Sequence, residues 1–327
     1  MSIRVRTALF LCLVVVSCRP RVDTLHRIRI ANDGPIQAAA SPQLVASELD
    51  NPMCPRVTPL GLVVVESGTG TVAAVQDGKL KPLITGFAKD QFAGYDISAQ
   101  GLTVDPQSNL WIVAAAEGPG RILLFDPKTF PTTADRGRNV PLKGAVDDNP
   151  YATVVTERDR IIVASGGTKS AYQGRFDTMG ELLPLDPAFT VDTGIIGITL
   201  DPRSGDVFGA IFGNGNGSVV RWRAGLEPVK PAVVASGLRN PVDVAFTRDG
   251  TLLVLEIGQL GKAEDGRVSV VLTDGSGKTI PFITGLDNPT GLSVGPDDTL
   301  YFTELGRRPN ATAGTLISVR LARKGNS

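Results

Sequence analysis

Short runs in which apolar side chains alternate with small or polar ones recur along the chain. Leu102 and Val104 flank Thr103, Ile198 and Leu200 flank Thr199, Val244 and Phe246 flank Ala245, and Leu292 and Val294 flank Ser293. A period of two is that of a β-strand, so each run places its large residues on one face and its small ones on the other. The runs are entered and left through turn signals. Asp287-Asn288-Pro289 precedes Gly291 to Val294, Gly295-Pro296-Asp297-Asp298 reverses the chain, and Thr299 to Glu304 forms a second strand. The same order appears upstream, with Asn240-Pro241, the turn Arg248-Asp249-Gly250 and Glu256 in the place of Glu304.

Aligned on Gly291, the equivalent anchors are Cys54, Gly101, Ala152, Gly197 and Asp243, so successive anchors lie 45 to 51 residues apart. A period of this length holding only strands and turns predicts propeller blades of four antiparallel strands, and it excludes a helical solenoid. Second strands are expected at Leu62 to Val65, Leu110 to Val113, Ile161 to Ala164, Val207 to Ala210, Leu252 to Leu255 and Leu300 to Thr303. Third and fourth strands are clearest around the Asp77-Gly78 turn and the Asp274-Gly275-Ser276-Gly277 turn. The sixth copy ends with a third strand, Gly314 to Leu321. Its missing partner is expected at the other end of the chain, where Gln43 to Pro52 repeats the pattern of Val233 to Pro241. The fold class is therefore all-β: a six-bladed β-propeller over residues 41–327, closed by an N-terminal strand pairing with the C-terminal blade, which covers both open edges.

The first eighteen residues differ. Arg4 and Arg6 precede an apolar run from Thr7 to Val16 that is too short to span a bilayer, as in a secretory signal. Leu13 to Cys18 resembles a bacterial lipobox, which implies lipidation of Cys18, anchorage to a membrane and an exported, cell-envelope location; a plain signal peptide and secretion is the other reading. Residues 19–40 read as a flexible tether. With Cys18 lipidated and Cys12 removed, Cys54 is left as a free thiol, read as a small buried filler. Composition is that of an ordinary globular domain, 42% apolar, with 33 basic and 33 acidic side chains. That balance, without a basic stripe, speaks against nucleic-acid binding. A monomer is expected.

In a propeller the innermost strand begins on the face where the second strand ends. One rim should thus carry Asn51 with Glu66, Asn149 with Ser165, Asn240 with Glu256 and Asn288 with Glu304, with Asp243 just below. Two readings stand side by side. Converging amide and carboxylate oxygens suit a calcium-type cation held by Glu66, Asp243, Glu256 and Glu304. Alternatively each Asn-Pro sets a turn, and each Glu accepts loop amides or pairs with Arg239, Lys262, Arg307 or Arg308. Gly213 to Gly217 reads as a turn-rich loop on the same rim.

Six units of a hydrophobic strand, a turn and a second strand, four of them opened by Asn-Pro and the last ending in Leu300-Tyr301-Phe302-Thr303-Glu304, resemble the NHL-type six-bladed propellers, and in particular the ScyD/ScyE-like secreted bacterial family, over about residues 41–322. Such families include binding proteins and enzymes, so the resemblance implies fold more than function. The expected role is non-enzymatic: a tethered propeller that binds an unknown small molecule or protein at its channel rim. The alternative is a metal-dependent lactone hydrolase resembling the gluconolactonase and regucalcin-like propellers. Those imply a Glu, an Asn and an Asp around one cation, but the residue before the inner-strand anchor is Thr290 in blade 6 and Val242 in blade 5. Quinoprotein dehydrogenases and streptogramin-type lyases of this fold imply a catalytic histidine, and the lone His26 lies in the expected tether.

Overall fold

The computed structural model describes residues 25–92, 94–115, 120–140, 149–156, 160–176, 182–225, 228–306 and 312–323. Cys18 and the signal segment, together with Arg307 and Arg308, lie outside the described residues. Six sheets, antiparallel but for one added outer strand on blade 1, follow one another along the chain, each wound from the centre outwards. Their inner strands are Pro52–Thr58, Ala99–Val104, Pro150–Thr156, Ile195–Leu200, Pro241–Phe246 and Pro289–Val294. Each inner strand packs against the next, and the sixth packs against the first, so the six enclose a central channel.

The alternation in the sequence becomes interlocking of blades. Leu292 and Leu300 of blade 6 are fully buried against Leu253, Leu255 and Val268 of blade 5, and Ala245 offers the small face that receives them. Leu102 and Ile112 of blade 2 meet Val63 and Val65 of blade 1 in the same way. The core is thus a ring of thin apolar layers between neighbouring sheets. Burial of one such Leu or Ile side chain contributes about 1.5–3 kcal/mol.

Closure follows the expected register. Gln43–Leu49 runs antiparallel to the outer side of Gly314–Arg323, with Leu49 opposite Gly314, Ser47 opposite Thr315 and Leu44 opposite Ile317. Turn chemistry is also as expected at the hairpin between Thr71–Gln76 and Lys79–Thr85, where Asp77 and Gly78 both have positive φ, 50° and 73°.

The segment expected as a tether is partly built into the propeller. Arg29–Ile30 adds a fifth strand to blade 5, pairing with Thr284 and Ile283, and Ile36–Ala38 continues the closing strand along Leu321 to Arg323. Ile28 and Ile36 are buried in the apolar layer of blades 5 and 6, and this burial offsets the cost of ordering the segment. Blade 2 is the irregular one. Between its third strand and its fourth, Arg138–Val140, the chain runs out to place Thr132–Thr133 parallel to the outer strand of blade 1. Gly213 to Gly217 is not a free loop: the third strand of blade 4, Asn214–Trp222, begins within it, and Asn214 pairs with Arg239.

Candidate functional site

One backbone hydrogen bond is repeated at the rim of all six blades. The first N–H after the second strand donates to the carbonyl just before the inner strand: Ser67 to Asn51, Ala115 to Ser98, Gly166 to Asn149, Phe212 to Gly194, Ile257 to Asn240 and Leu305 to Asn288, at 2.8–3.1 Å. Asn51, Asn240 and Asn288 adopt left-handed backbone angles, φ 48°, 51° and 49°, which asparagine tolerates better than most residues. Their amide groups turn inwards to the loops. Asn240 Nδ2 donates to the Gly258 carbonyl and Asn288 Nδ2 to that of Gly306, both at 2.8 Å.

The three glutamates share the same rim, opposite Pro52, Pro241 and Pro289 in register. Each accepts the backbone N–H two residues before its proline: Glu66 from Asp50 at 3.1 Å, Glu256 from Arg239 at 2.8 Å and Glu304 from Asp287 at 2.8 Å. Glu256 also takes both arms of Arg267, at 2.7 and 2.8 Å, and the Ser269 hydroxyl. Glu304 takes both arms of Arg27 and the Thr315 hydroxyl. Arg239 and Lys262, the expected partners, pair with Asp265 instead. No group of three or more His, Cys, Asp or Glu side chains among the described residues could hold a metal ion. The expected convergence of Glu66, Asp243, Glu256 and Glu304 on a cation is corrected accordingly. Each glutamate is turned sideways into its own blade, where it fastens a loop.

The channel itself is lined by the column that precedes each anchor: Met53, Gln100, Tyr151, Ile196, Val242 and Thr290. At its mouth these surround a cavity of about 290 Å³, to which Asn51 and Asn149 of the expected residues also contribute. Tyr95 and Ile97, from a short hairpin of Asp90–Phe92 and Tyr95–Ile97 between blades 1 and 2, reach its edge. Gln100 donates to Asn149 Oδ1 at 2.6 Å, and Asn51 to the Asp96 carbonyl at 2.8 Å. The side-chain oxygens Asn51 Oδ1 and Gln100 Oε1 are buried without a protein partner.

Below the mouth the same six residues narrow around a chamber of about 20 Å³ that Cys54, Arg56 and Asp243 also line. Asp243 shares the chamber with a cation. Arg56 Nη1 lies 3.7 Å from Asp243 Oδ2 and donates to the Leu292 carbonyl at 2.6 Å. The Asp243 oxygens accept the N–H groups of Val244 at 2.9 Å and Leu292 at 2.8 Å. Burial pushes the Asp243 carboxyl above the ordinary carboxylate range, against the opposing pull of Arg56 and the two N–H groups. Burial likewise raises the Cys54 thiol, helped by Asp243 and opposed by Arg56 and a Leu102 contact. With φ 42°, Cys54 sits in a bulge between Met53 and Arg56 that aims Arg56 into the channel. His26 is on the outside, in an exposed turn.

No family model matches the chain, and no curated protein matches it. Among solved structures, the chain is similar to the PQQ-bound aldose sugar dehydrogenase of Streptomyces coelicolor, at 14% identity over 90% of this chain and 100% of that one, with a TM-score of 0.64. It is also similar to a gluconolactonase of Xanthomonas campestris, at 14% identity over 90% and 97% of the two chains, TM-score 0.63. A streptogramin B lyase matches at 15% identity over 84% and 80%, TM-score 0.52. At these identities the likeness is one of fold.

Proposed function

We propose that the channel mouth is a small-molecule site and that its reaction is hydrolysis of a lactone. The observation that carries this reading is the water-sized chamber directly beneath the mouth, walled by Asp243 and Arg56. About 10–15 Å³ is enough for one water, and this chamber offers about 20 Å³ with polar groups on its wall. A water there would attack the carbonyl carbon of a lactone seated above it. Asp243 would accept the water's proton, the ring C–O bond would break, and the leaving alkoxide would take a proton to give a hydroxy acid. Burial raises the Asp243 carboxyl above its ordinary range, which makes its carboxylate a stronger base towards the water. The likeness in fold to gluconolactonases favours this class over a purely non-enzymatic role.

A calcium-type cation does not fit the donor set. Among the described residues lining the channel Asp243 is the one carboxylate, it already faces Arg56, and the free oxygens are neutral amides, whereas calcium sites draw on carboxylate charge. The test is a panel of lactones assayed with and without chelator. Chelator-resistant hydrolysis abolished by Asp243→Asn supports the reading; absence of hydrolysis across the panel rejects it.

A second reading, binding without turnover, is favoured by one observation: both Asp243 oxygens are already occupied by N–H donors. Ligand binding that persists in Asp243→Asn, with no turnover by either protein, would select it. Export and lipid attachment at Cys18 belong to the proposal too, and mass spectrometry of the membrane-extracted protein tests them.

A further inference from the structure

The mouth cavity has two unlike halves, and the repeat explains why. The position that follows each second strand is small in blades 1 to 3, Ser67, Ala115 and Gly166, and large and apolar in blades 4 to 6, Phe212, Ile257 and Leu305. In the channel-facing column the contrast is carried by Gln100 and Tyr151 against Ile196 and Val242, while Met53 in blade 1 and Thr290 in blade 6 stand outside it. Because consecutive blades are neighbours around the ring, the first three form one wall and the last three the opposite wall.

The first wall holds amide and phenol groups: Asn51, Gln100, Asn149 and Tyr151. Asn51 and Gln100 each keep a carbonyl oxygen buried without a protein partner, so a turn of either amide towards the cavity would offer an acceptor for a ligand's hydrogen-bond donor. Among the described residues the second wall carries no polar side chain other than Thr290, whose hydroxyl is already bonded to the Pro52 carbonyl at 2.6 Å. It continues to an apolar lip, where Phe212 and Leu260 remain 38% and 37% exposed. The charges below, Arg56 and Asp243, face each other.

Resting on the lactone-hydrolase reading, we propose that the site takes an uncharged lactone with a hydrogen-bond donor on one edge and an aliphatic or aromatic tail, and that it rejects polyhydroxylated sugar lactones. The donor edge meets Asn51 and Gln100, and the tail lies along Ile196, Ile257 and Phe212 towards the lip. A sugar lactone would press hydroxyls against a wall that cannot bond them. The ring-opened acid would bring a charge that no described residue of the mouth balances, which favours its release.

The full-length protein would be titrated calorimetrically with three probes: N-hexanoyl-homoserine lactone, glucono-1,5-lactone and hexanoate. The acylated lactone is expected to bind at least about tenfold more tightly than either of the others. Phe212→Asp, at the partly exposed lip, is expected to weaken it by about tenfold without changing the melting temperature. Gln100→Leu should weaken it while sparing the binding of a tail-only lactone such as δ-decalactone. Equal or tighter binding of the sugar lactone or of hexanoate overturns the proposal, as does absence of binding by all three. Failure of the two readings is distinguishable. Tight binding of the acylated lactone without turnover rejects the hydrolase and leaves the specificity, while turnover confined to the sugar lactone does the reverse.

Discussion

Arg27 and Glu304, 277 positions apart, meet as a two-pronged ion pair, Nη1 to Oε1 at 2.9 Å and Nη2 to Oε2 at 2.5 Å. Glu304 is fully buried, and Arg27 also reaches Asp287 at 3.2 Å and the Gly285 carbonyl at 2.6 Å. In blade 5 the equivalent glutamate finds its guanidinium within the blade, at Arg267, directly opposite in register. In blade 6 the residue opposite Glu304 is Thr315. The N-terminal segment therefore supplies the cation that blade 6 lacks, and the strands that follow it cover the outer edges of blades 5 and 6.

Removing Arg27 should leave a buried carboxylate unpaired. Arg27→Ala is expected to cost about 3 kcal/mol in urea unfolding. Arg27→Ala combined with Glu304→Gln should recover part of that loss, because the neutral side chain keeps its bonds to the Asp287 N–H and Thr315. A double variant no more stable than Arg27→Ala would show that the pair is not what holds the segment.

Legibility in the sequence followed the repeats. The closing strand could be read because Gln43 to Pro52 copies a fourth strand elsewhere, whereas the channel-facing column could not, because Met53, Gln100, Tyr151, Ile196, Val242 and Thr290 differ in type from blade to blade. Arg56 escaped notice because the bulge at Cys54 inserts residues into the first inner strand, so the alignment does not reveal that it faces Asp243. The glutamates were visible as a set, but the partner of Glu304 comes from outside the repeats. Residues 28–38 have no counterpart in any blade, so only their burial reveals that they dock.

The pH dependence of stability should single out Asp243. Its carboxyl is raised in the folded state, mainly by burial, so the neutral form is the one folding favours. The stability this contributes is complete below the unfolded value, about 3.9, and is lost as pH rises through the folded value. The unfolding free energy of the wild type minus that of Asp243→Asn should therefore fall as the pH is raised from about 4 towards 8. Urea midpoints of the two proteins across that range check it, and a difference that stays level or grows would contradict it.

Asn288 should prove a turn residue rather than a ligand residue. It is fully buried, has φ 49°, and accepts the Gly261 N–H at 2.8 Å while donating to Gly306. Asn288→Gly keeps the backbone angle but loses both bonds, at an expected cost of about 2 kcal/mol. Asn288→Ala adds the strain of a left-handed alanine, about 1 kcal/mol more. Neither should alter ligand affinity once the protein is folded. Loss of affinity in Asn288→Gly with an unchanged melting temperature would restore a direct role at the site.

Gly166 should set the width of the mouth. A Cβ built there would stand 2.7 Å from Cε2 of Tyr151 and 3.3 Å from Cδ1 of Ile196, so one ring must move into the cavity or the strand must give way. Gly194 faces the same point, its own Cβ position 3.0 Å from the Gly166 Cα. Gly166→Ala is therefore expected to cost about 1–3 kcal/mol of stability by overpacking and to weaken lactone binding by crowding Tyr151. Tyr151→Leu in the same background removes the ring that the methyl group meets. The two substitutions should be coupled by about 0.5–3 kcal/mol in a double-mutant cycle, with the pair less damaging than the sum. Strict additivity in both stability and binding would mean that the methyl group is accommodated elsewhere and that the glycine does not govern the opening.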